Sequence, residues 1–379
     1  MNLADVLSGK RVVVTVGAGG VGKTTLAASI GLYYAITGKR VMVVTIDPAK
    51  RLAVALGLKE IGGEPHRIDL TPIHKSPRGS LDVMMLDPSE VFRSLIKRSV
   101  SSPERQQRVL NNRFFQRFTA AMGGTQEHAA VEKLFDLVEH GDYDLIVLDT
   151  PPSRHAIEFL SAPTRLLNVL DDSVVRWLVK PAKGGMSVFS FGSRYISKVL
   201  SYFAGADMLR DLAEYISLLS GEMAGFRDRA ARVDKLLKDP STLYLTIAGP
   251  ERHAIEGALM FHWALAKGDY TIGASVVNRV WQVPEYPLTA DALHRSIRRN
   301  HPDETIPVDF SRRIFNAYIQ RSHISQIHAS KLSAMKNTIG DAYPVFAVPA
   351  FVDELVDLPT VFRLTRALFT AGEVPQTDQ

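Results

Sequence analysis

Residues 17–24 form the segment that most restricts how this chain folds and what it binds. They read Gly-Ala-Gly-Gly-Val-Gly-Lys-Thr and match the pattern G-x-x-x-x-G-K-[ST] in full. Such a loop turns backbone N–H groups inward around phosphate oxygens, and the helix after it directs its positive end at the same anion. The alternative interpretation is a glycine-rich turn that binds nothing. The predicted phosphate-binding set is Gly17, Ala18, Gly19, Gly20, Val21, Gly22, Lys23, Thr24 and Thr25.

Within this loop, two side chains carry the chemistry. Lys23 is expected to neutralise the β- and γ-phosphates, and we predict it as a catalytic residue. The hydroxyl of Thr24 is expected to bind Mg²⁺. The motif requires a strand before it and a helix after it. Both are predicted, because residues 11–16 are β-branched and apolar, and a helical pattern follows from Lys23 to the stop at Gly38.

The rest of the chain supports an α/β fold: a P-loop NTPase with a mainly parallel sheet flanked by helices, plus an inserted helical subdomain. Further short apolar runs predict strands at residues 41–46, 81–86, 145–148, 243–247, 273–277 and 345–348. We expect a single domain over residues 1–379, with the helical insertion at about residues 157–238. Residues 89–140 are also predicted to be mainly helical, and a last helix is predicted at residues 358–371.

Two aspartates, Asp47 and Asp149, each follow a predicted buried strand. Because ligands of open α/β sheets bind outside the carboxyl ends of the strands, both are expected to face the phosphate loop. We predict that Asp149 holds Mg²⁺, directly or through water, and that Asp47 is a second metal-site residue that orients the attacking water. The alternative for either is a helix N-cap. The predicted switch residues around them are Pro48, Asp149, Pro151, Pro152, Arg154 and His155.

The composition excludes several kinds of site. The chain has no cysteine, so it contains no disulfide, no cysteine-ligated zinc, no iron–sulfur cluster and no thiol nucleophile. The formal net charge of +5 is weak evidence for an anionic partner. The basic residues at 296–301 and 312–313 are expected to cover a solvated helix face, and no nucleic-acid partner is predicted. With neither a signal-like start nor a transmembrane-length apolar run, a cytoplasmic protein is expected.

Taken together, the motifs resemble those of the ArsA-like ATPases, the group of the arsenite-pump and tail-anchored-protein-targeting ATPases within the deviant-Walker class. The resemblance rests on residues 17–25, 47–49, 81–87, 149–155, 277–279 and 348–351. It implies ATP and Mg²⁺ as cofactors, Asp47 as the residue that activates the hydrolytic water, and a second switch from Asp149 to His155. It also implies that Asn278 hydrogen-bonds adenine, that Arg279 belongs to the ATP-binding set, and that Pro349, Ala350 and Phe351 form a wall of the base site.

The resemblance further implies a homodimer, or a heterodimer with a related ATPase, in which Pro250 and Glu251 contact nucleotide across the interface. The chain departs from the family at Ala18, where relatives carry a signature lysine that reaches into the partner's site. Lys50, Arg51 and Arg154 are alternative sources of the positive charge that the signature lysine would provide. Without cysteine the chain has neither the family's zinc clamp nor a metalloid–thiolate site, so arsenite transport is not predicted.

These observations lead to one main functional prediction and several rivals. The main prediction is a Mg²⁺-dependent ATPase that switches a dimer and acts on a partner or client protein, or at a membrane periphery. The alternative is an ATP-binding scaffold that hydrolyses little and needs a related partner chain. A surface-tethered partition ATPase and a small-molecule kinase are further rivals. The insertion is interpreted as a cap that packs on its own core or on a second subunit, although the resemblance also allows a client groove.

Overall fold

The computed structural model describes residues 1–46, 51–121, 125–151, 211–282 except 213 and 216, 289–302 and 307–370. The strands in these residues are β1 (Val12–Gly17), β2 (Arg40–Thr45), β3 (His66–Arg67), β4 (Ser80–Met85), β5 (Leu145–Asp149), β6 (Thr242–Ala248), β7 (Ile272–Val280) and β8 (Val345–Pro349). The helices are α1 (Leu3–Leu7), α2 (Lys23–Ile36), α3 (Arg51–Ala55), α4 (Pro88–Ser99), α5 (Pro103–Asn111), α6 (Arg113–Ala121), α7 (Thr125–His140), α8 (Met223–Lys238), α9 (Arg252–Lys267), α10 (Ala290–Asn300), α11 (Val308–Ile339) and α12 (Leu358–Thr370).

The eight strands form one sheet in the order β3-β4-β2-β5-β1-β6-β7-β8. Every pairing is parallel except that of β3 with β4. The predicted α/β class and mainly parallel sheet are therefore confirmed. Because the strands between β2 and β7 run in one direction, their carboxyl ends meet at the same edge, and the phosphate loop leaves β1 at the middle of that edge.

The sheet is covered on both faces, which explains the continuous apolar strands. In β1, Val13 belongs to the cluster beneath α2 and α12, whereas Val12 and Val14 belong to the cluster beneath α7, α8 and α9. All six residues of β1 are buried. A strand covered on both faces has no solvent side, so it reads as an uninterrupted β-branched run rather than as an alternating one.

Most predicted strands agree with the structure to within one residue at either end, but two differences matter. The strand β3 has two exposed residues and pairs antiparallel to β4, so it is too short to produce an alternating pattern. The strand β7 continues past the predicted end at residue 277 to Val280, and its register against β8 shifts between Val277 and Val280. The extension brings Asn278 into the sheet.

The predicted helical regions are described in part. The described residues between 89 and 140 contain α4 to α7. Of the predicted insertion at 157–238, residues 157–210 lie outside the described residues, and the described remainder contains α8. The insertion's boundaries therefore stay a prediction. Within the described ranges, no helix is both long and apolar enough to cross a membrane.

Candidate functional site

The loop between β1 and α2 has the backbone geometry of an anion site. Gly20 and Gly22 have φ of 78° and 96°, in the left-handed region that favours glycine. Gly22 is the N-cap of α2, and no side chain caps the helix there. The first turn of α2 also contains no acidic residue. Its first backbone N–H groups therefore have no side-chain cap, and no acidic residue of the helix's own first turn competes with a phosphate for them.

Two glycines of the loop are also required by neighbouring strands. A Cβ on Gly17 would overlap the backbone carbonyl oxygen of Ile247 in β6. A Cβ on Gly22 would overlap the side-chain amide nitrogen of Asn278 in β7. These contacts could not be read from the motif, because they depend on which strands lie beside β1.

The side chain of Lys23 folds back over the loop. It is 7% exposed, and its Nζ donates to the carbonyl oxygens of Gly17 at 3.1 Å and Ala18 at 2.9 Å. The ammonium group thus lies at the mouth of the loop, beside the N-terminus of α2. In this position a cation and a helix dipole act on the same small volume, and both favour an anion.

Next to Lys23, the carboxylate of Asp149 receives two hydroxyl groups. Thr24 Oγ1 donates to Asp149 Oδ2 at 2.6 Å, and Thr45 Oγ1 donates to the same oxygen at 3.0 Å. Asp149 is fully buried. The structure therefore brings Lys23, Thr24 and Asp149 together, as expected from the sequence. Thr45 was missed; the available signal was a hydroxyl residue at the end of an otherwise apolar strand.

On the other side of the loop lies Asn278. Its Nδ2 donates to the Val21 carbonyl oxygen at 3.0 Å, and its Oδ1 accepts from the backbone N–H of Arg279 at 2.9 Å. Arg279 is exposed and has a φ of 62°. The predicted base-site residues at the end of β8 and directly after it lie alongside, since the backbone N–H of Ala350 donates to the Val280 carbonyl oxygen at 2.9 Å. Pro349, Ala350 and Phe351 are each half-buried there.

The segment with Pro250 and Glu251 is held by α11. Lys331 Nζ donates to the Pro250 carbonyl oxygen at 3.2 Å, and the ring Nδ1 of His328 accepts from the backbone N–H of Trp281 at 3.1 Å. Burial lowers the pKa of His328, and the neighbouring Lys331 lowers it further. The loop after β6 and the end of β7 are thus both hydrogen-bonded to α11.

Ala18, where the resemblance implies a lysine, is half-buried and packs against the core. Its methyl group lies 3.8 Å from the place that a Cβ on Gly257 in α9 would take. Several other predicted site residues, Asp47, Pro48, Lys50, Pro152, Arg154 and His155, lie outside the described residues. Pro151 is described and buried, and Arg51 is the first residue of α3.

The donors present suit a magnesium nucleotide. Mg²⁺ is usually held by one or two protein oxygens together with substrate phosphates and water, rather than by a cage of side chains. In the described part of the chain no group of three or more His, Asp or Glu side chains could hold a metal ion. Thr24 and Asp149 provide the two protein oxygens directly beside the phosphate loop. These residues therefore fit a Mg²⁺ ion that is bound mainly by phosphates, rather than one that is held in a cage of side chains.

The known proteins that are similar to this chain are also ATPases. The model of a family described as "Anion-transporting ATPase" matches residues 10–293. A putative arsenical pump-driving ATPase 1 of Aquifex aeolicus is 26% identical, with 96% of this chain and 80% of that protein covered. The ATPase ARSA2 of Chlamydomonas reinhardtii is 26% identical over 70% of this chain and 66% of its own length. The ATPase GET3 of Malassezia globosa is 30% identical, but over 41% of this chain and 43% of its own length.

Proposed function

Because this chain belongs to the anion-transporting ATPase family and is therefore an ATPase, we propose that it hydrolyses ATP with Mg²⁺ to switch the conformation of a dimer that acts on a partner protein. The observation that carries this proposal is the contact of Thr24 with Asp149 beside Lys23. A hydroxyl, a carboxylate and an ammonium group then converge where a strand-to-helix loop turns its amides inward. Hydrolysis of a magnesium nucleotide uses this combination of groups.

In this proposal each side chain has a separate task. The loop amides and Lys23 hold the phosphates and balance the charge that develops on them. Thr24 and Asp149 hold Mg²⁺, which supplies further charge neutralisation at the phosphates when it is bound. Asp47 orients the attacking water; in the sequence it follows by two residues the end of β2, which lies beside the end of β5. Asn278 has a second amide hydrogen beside the one given to Val21, and it recognises adenine with that group.

The order of the strands suggests how a change in the bound nucleotide would alter the conformation of the protein. The strands β2 and β5 are neighbours, and they lead into the two predicted switch segments that begin at Asp47 and Asp149. A change in nucleotide state therefore reaches both segments through adjacent strand ends. We place the protein in the cytoplasm, with a client protein or a membrane periphery as the receiver of this change.

The proposed dimer differs from that of relatives in two respects. No cysteine is present to clamp two subunits through zinc or to bind a metalloid, so we do not propose an arsenical substrate despite the name of the relative from Aquifex aeolicus. Ala18 also offers no charge to a neighbouring site. We propose that Lys50, Arg51 and Arg154 provide that charge. A cationic side chain that stabilises the transition state raises the hydrolysis rate by about 10³–10⁵-fold. Ala substitution of all three residues should therefore abolish most hydrolysis.

A second candidate function rests on Ala18 itself. If the methyl group of Ala18 gives no cation to the site of a neighbouring subunit, the chain binds ATP as a scaffold and needs a related chain to hydrolyse it. The two candidates are separated by measuring the ATPase rate per molecule against protein concentration, with Asp47→Asn as the control. A rate that rises with concentration and is lost in Asp47→Asn supports the self-assembling ATPase. A rate near zero at every concentration contradicts it and supports the scaffold.

A further inference from the structure

The ends of β2 and β5 are joined at one residue pair by both backbone and side chain. Thr45 and Asp149 are direct partners in the register of the two strands. The next backbone N–H along β2, that of Ile46, donates to the Asp149 carbonyl oxygen at 3.1 Å. The Thr45 hydroxyl donates to Asp149 Oδ2 at 3.0 Å. Asp149 is therefore held by β2 at two of its atoms.

The hydroxyl of Thr45 lies in a place where an apolar side chain would serve the fold equally well. Thr45 is 2% exposed and ends a strand whose other buried residues are Val41, Met42, Val43 and Val44. Valine has nearly the same shape as threonine and at least the same preference for strands. A hydroxyl at this position is thus informative, because its hydrogen bond to a buried carboxylate is the property that valine lacks.

The hydrogen bond of Thr45 is also independent of the phosphate loop. Thr24 belongs to α2 and is expected to bind Mg²⁺ itself, so its contact with Asp149 changes when the metal enters. Thr45 belongs instead to β2, a strand of the sheet. A hydroxyl donor to a charged carboxylate is among the stronger hydrogen bonds, and it restricts the rotation of the carboxylate. The group best placed to orient Asp149 in both metal states is therefore Thr45.

We propose that Thr45 is a positioning residue that orients the Asp149 carboxylate for Mg²⁺. This inference rests on the proposed function, since it assigns Thr45 a part in the same site. It adds a residue that lies outside the loop motif.

The test compares Thr45→Val with Thr45→Ser in the full-length protein. Binding of a fluorescent ADP analogue is measured without Mg²⁺ and at increasing Mg²⁺ concentrations. We expect Thr45→Val to require at least about tenfold more Mg²⁺ for half of the metal-dependent gain in affinity, because a hydrogen bond to a charged group is lost. Affinity without Mg²⁺ should stay within about twofold of the parent. Thr45→Ser keeps the donor and should restore the parent's Mg²⁺ requirement.

Thr246→Val is the matched control. Thr246 is also a buried threonine of a central strand, and its hydroxyl lies 2.6 Å from that of Ser275 rather than at the phosphate loop. It should leave the Mg²⁺ requirement unchanged. If Thr45→Val does not fold, Thr45→Ala removes the same hydroxyl with a smaller side chain.

The outcomes separate this inference from the proposed function. If the parent protein shows no Mg²⁺-dependent gain in ADP affinity, the proposed function itself fails. If the parent shows the gain and a folded Thr45→Val or Thr45→Ala variant needs the same Mg²⁺ concentration, the positioning role of Thr45 is overturned. A loss of affinity that is equal with and without Mg²⁺ would also overturn it, because that result indicates a structural role only.

Discussion

Asn278 donates its side-chain amide to the Val21 carbonyl oxygen at 3.0 Å, which ties the end of β7 to the middle of the phosphate-binding loop. The same amide nitrogen occupies the space that a Cβ on Gly22 would need. The residue expected to recognise the base therefore also supports the loop that holds the phosphates. One side chain would then connect the phosphate loop with the proposed base site.

This connection predicts the effect of Asn278→Ala. The variant loses a buried hydrogen bond and leaves the Val21 carbonyl oxygen without its donor, so the loop is less well ordered before nucleotide binds. We expect the KM for ATP to rise about tenfold. Steady-state ATPase assays and direct ATP binding measure this change, with Asn278→Asp as a variant that keeps the size but removes the donor. An unchanged KM in both variants would contradict the assigned role.

Substitution of Gly17 should destabilise the fold through the sheet rather than through the ligand. An added Cβ overlaps the Ile247 carbonyl oxygen, and neighbouring backbone cannot move aside as a flexible side chain would. We expect Gly17→Ala to lower the free energy of unfolding by about 1–3 kcal/mol in the absence of nucleotide. Urea denaturation measures it. Gly225→Ala in α8 is the control: no atom lies within 4 Å of its added Cβ, so it should stabilise the protein by up to about 1 kcal/mol.

The pair Glu132 and Arg229 joins α7 to α8 in a nearly buried position. Arg229 Nε donates to Glu132 Oε2 at 2.6 Å, and the two side chains are 13% and 9% exposed. Burial raises the pKa of Glu132, and Arg229 opposes that rise. Because Arg229→Met leaves an uncompensated carboxylate, we expect it to lower the unfolding free energy by about 3–5 kcal/mol near neutral pH.

The loss in Arg229→Met should depend on pH in a defined direction. Without Arg229, the folded-state pKa of Glu132 lies still further above its unfolded value, so folding favours the protonated acid. The penalty is then absent below the unfolded pKa and grows as pH rises toward the folded one. Urea unfolding at pH 5 and pH 8 should give a smaller deficit at pH 5. Adding Glu132→Gln should recover most of the stability, and a deficit equal at both pH values would argue against this explanation.

The burial of His262 leads us to predict a second pH dependence of the unfolding free energy, opposite in sign to that of the Arg229→Met deficit. Its ring is 1% exposed and lies edge-to-face with Tyr343 at 4.6 Å, and burial lowers its pKa. The folded protein therefore keeps the imidazole neutral, whereas the unfolded chain takes up a proton as pH falls through about 6.5. We expect the unfolding free energy to fall between pH 7.5 and 5.5. In His262→Phe, which preserves the ring packing, the fall should be smaller; an identical slope would exclude His262 as a cause.

Much of this fold could be predicted from local patterns. The strand β1, the loop after it and α2 follow from a β-branched run, a glycine-rich turn and a helical period within residues 11–38. Asp149 could be placed at the loop because strand ends of a parallel sheet share one edge. The strand β3 could not be found, since its two exposed residues acquire their conformation only by pairing with β4. The extension of β7 to Val280 likewise depends on β8, which follows about 65 residues later in the sequence.

The sequence by itself determined the phosphate loop, the α/β class and the residue types available for catalysis, because each depends on chemistry and periodicity over a few neighbouring residues. Only the tertiary structure decided which hydroxyl meets Asp149 and which amide meets Val21. Thr45 precedes Asp149 by 104 residues, and Asn278 follows Val21 by 257. Those pairs exist because β2 and β7 take particular places and registers in the sheet. The burial of the central strands selects that order, which cannot be read from any short stretch of the sequence.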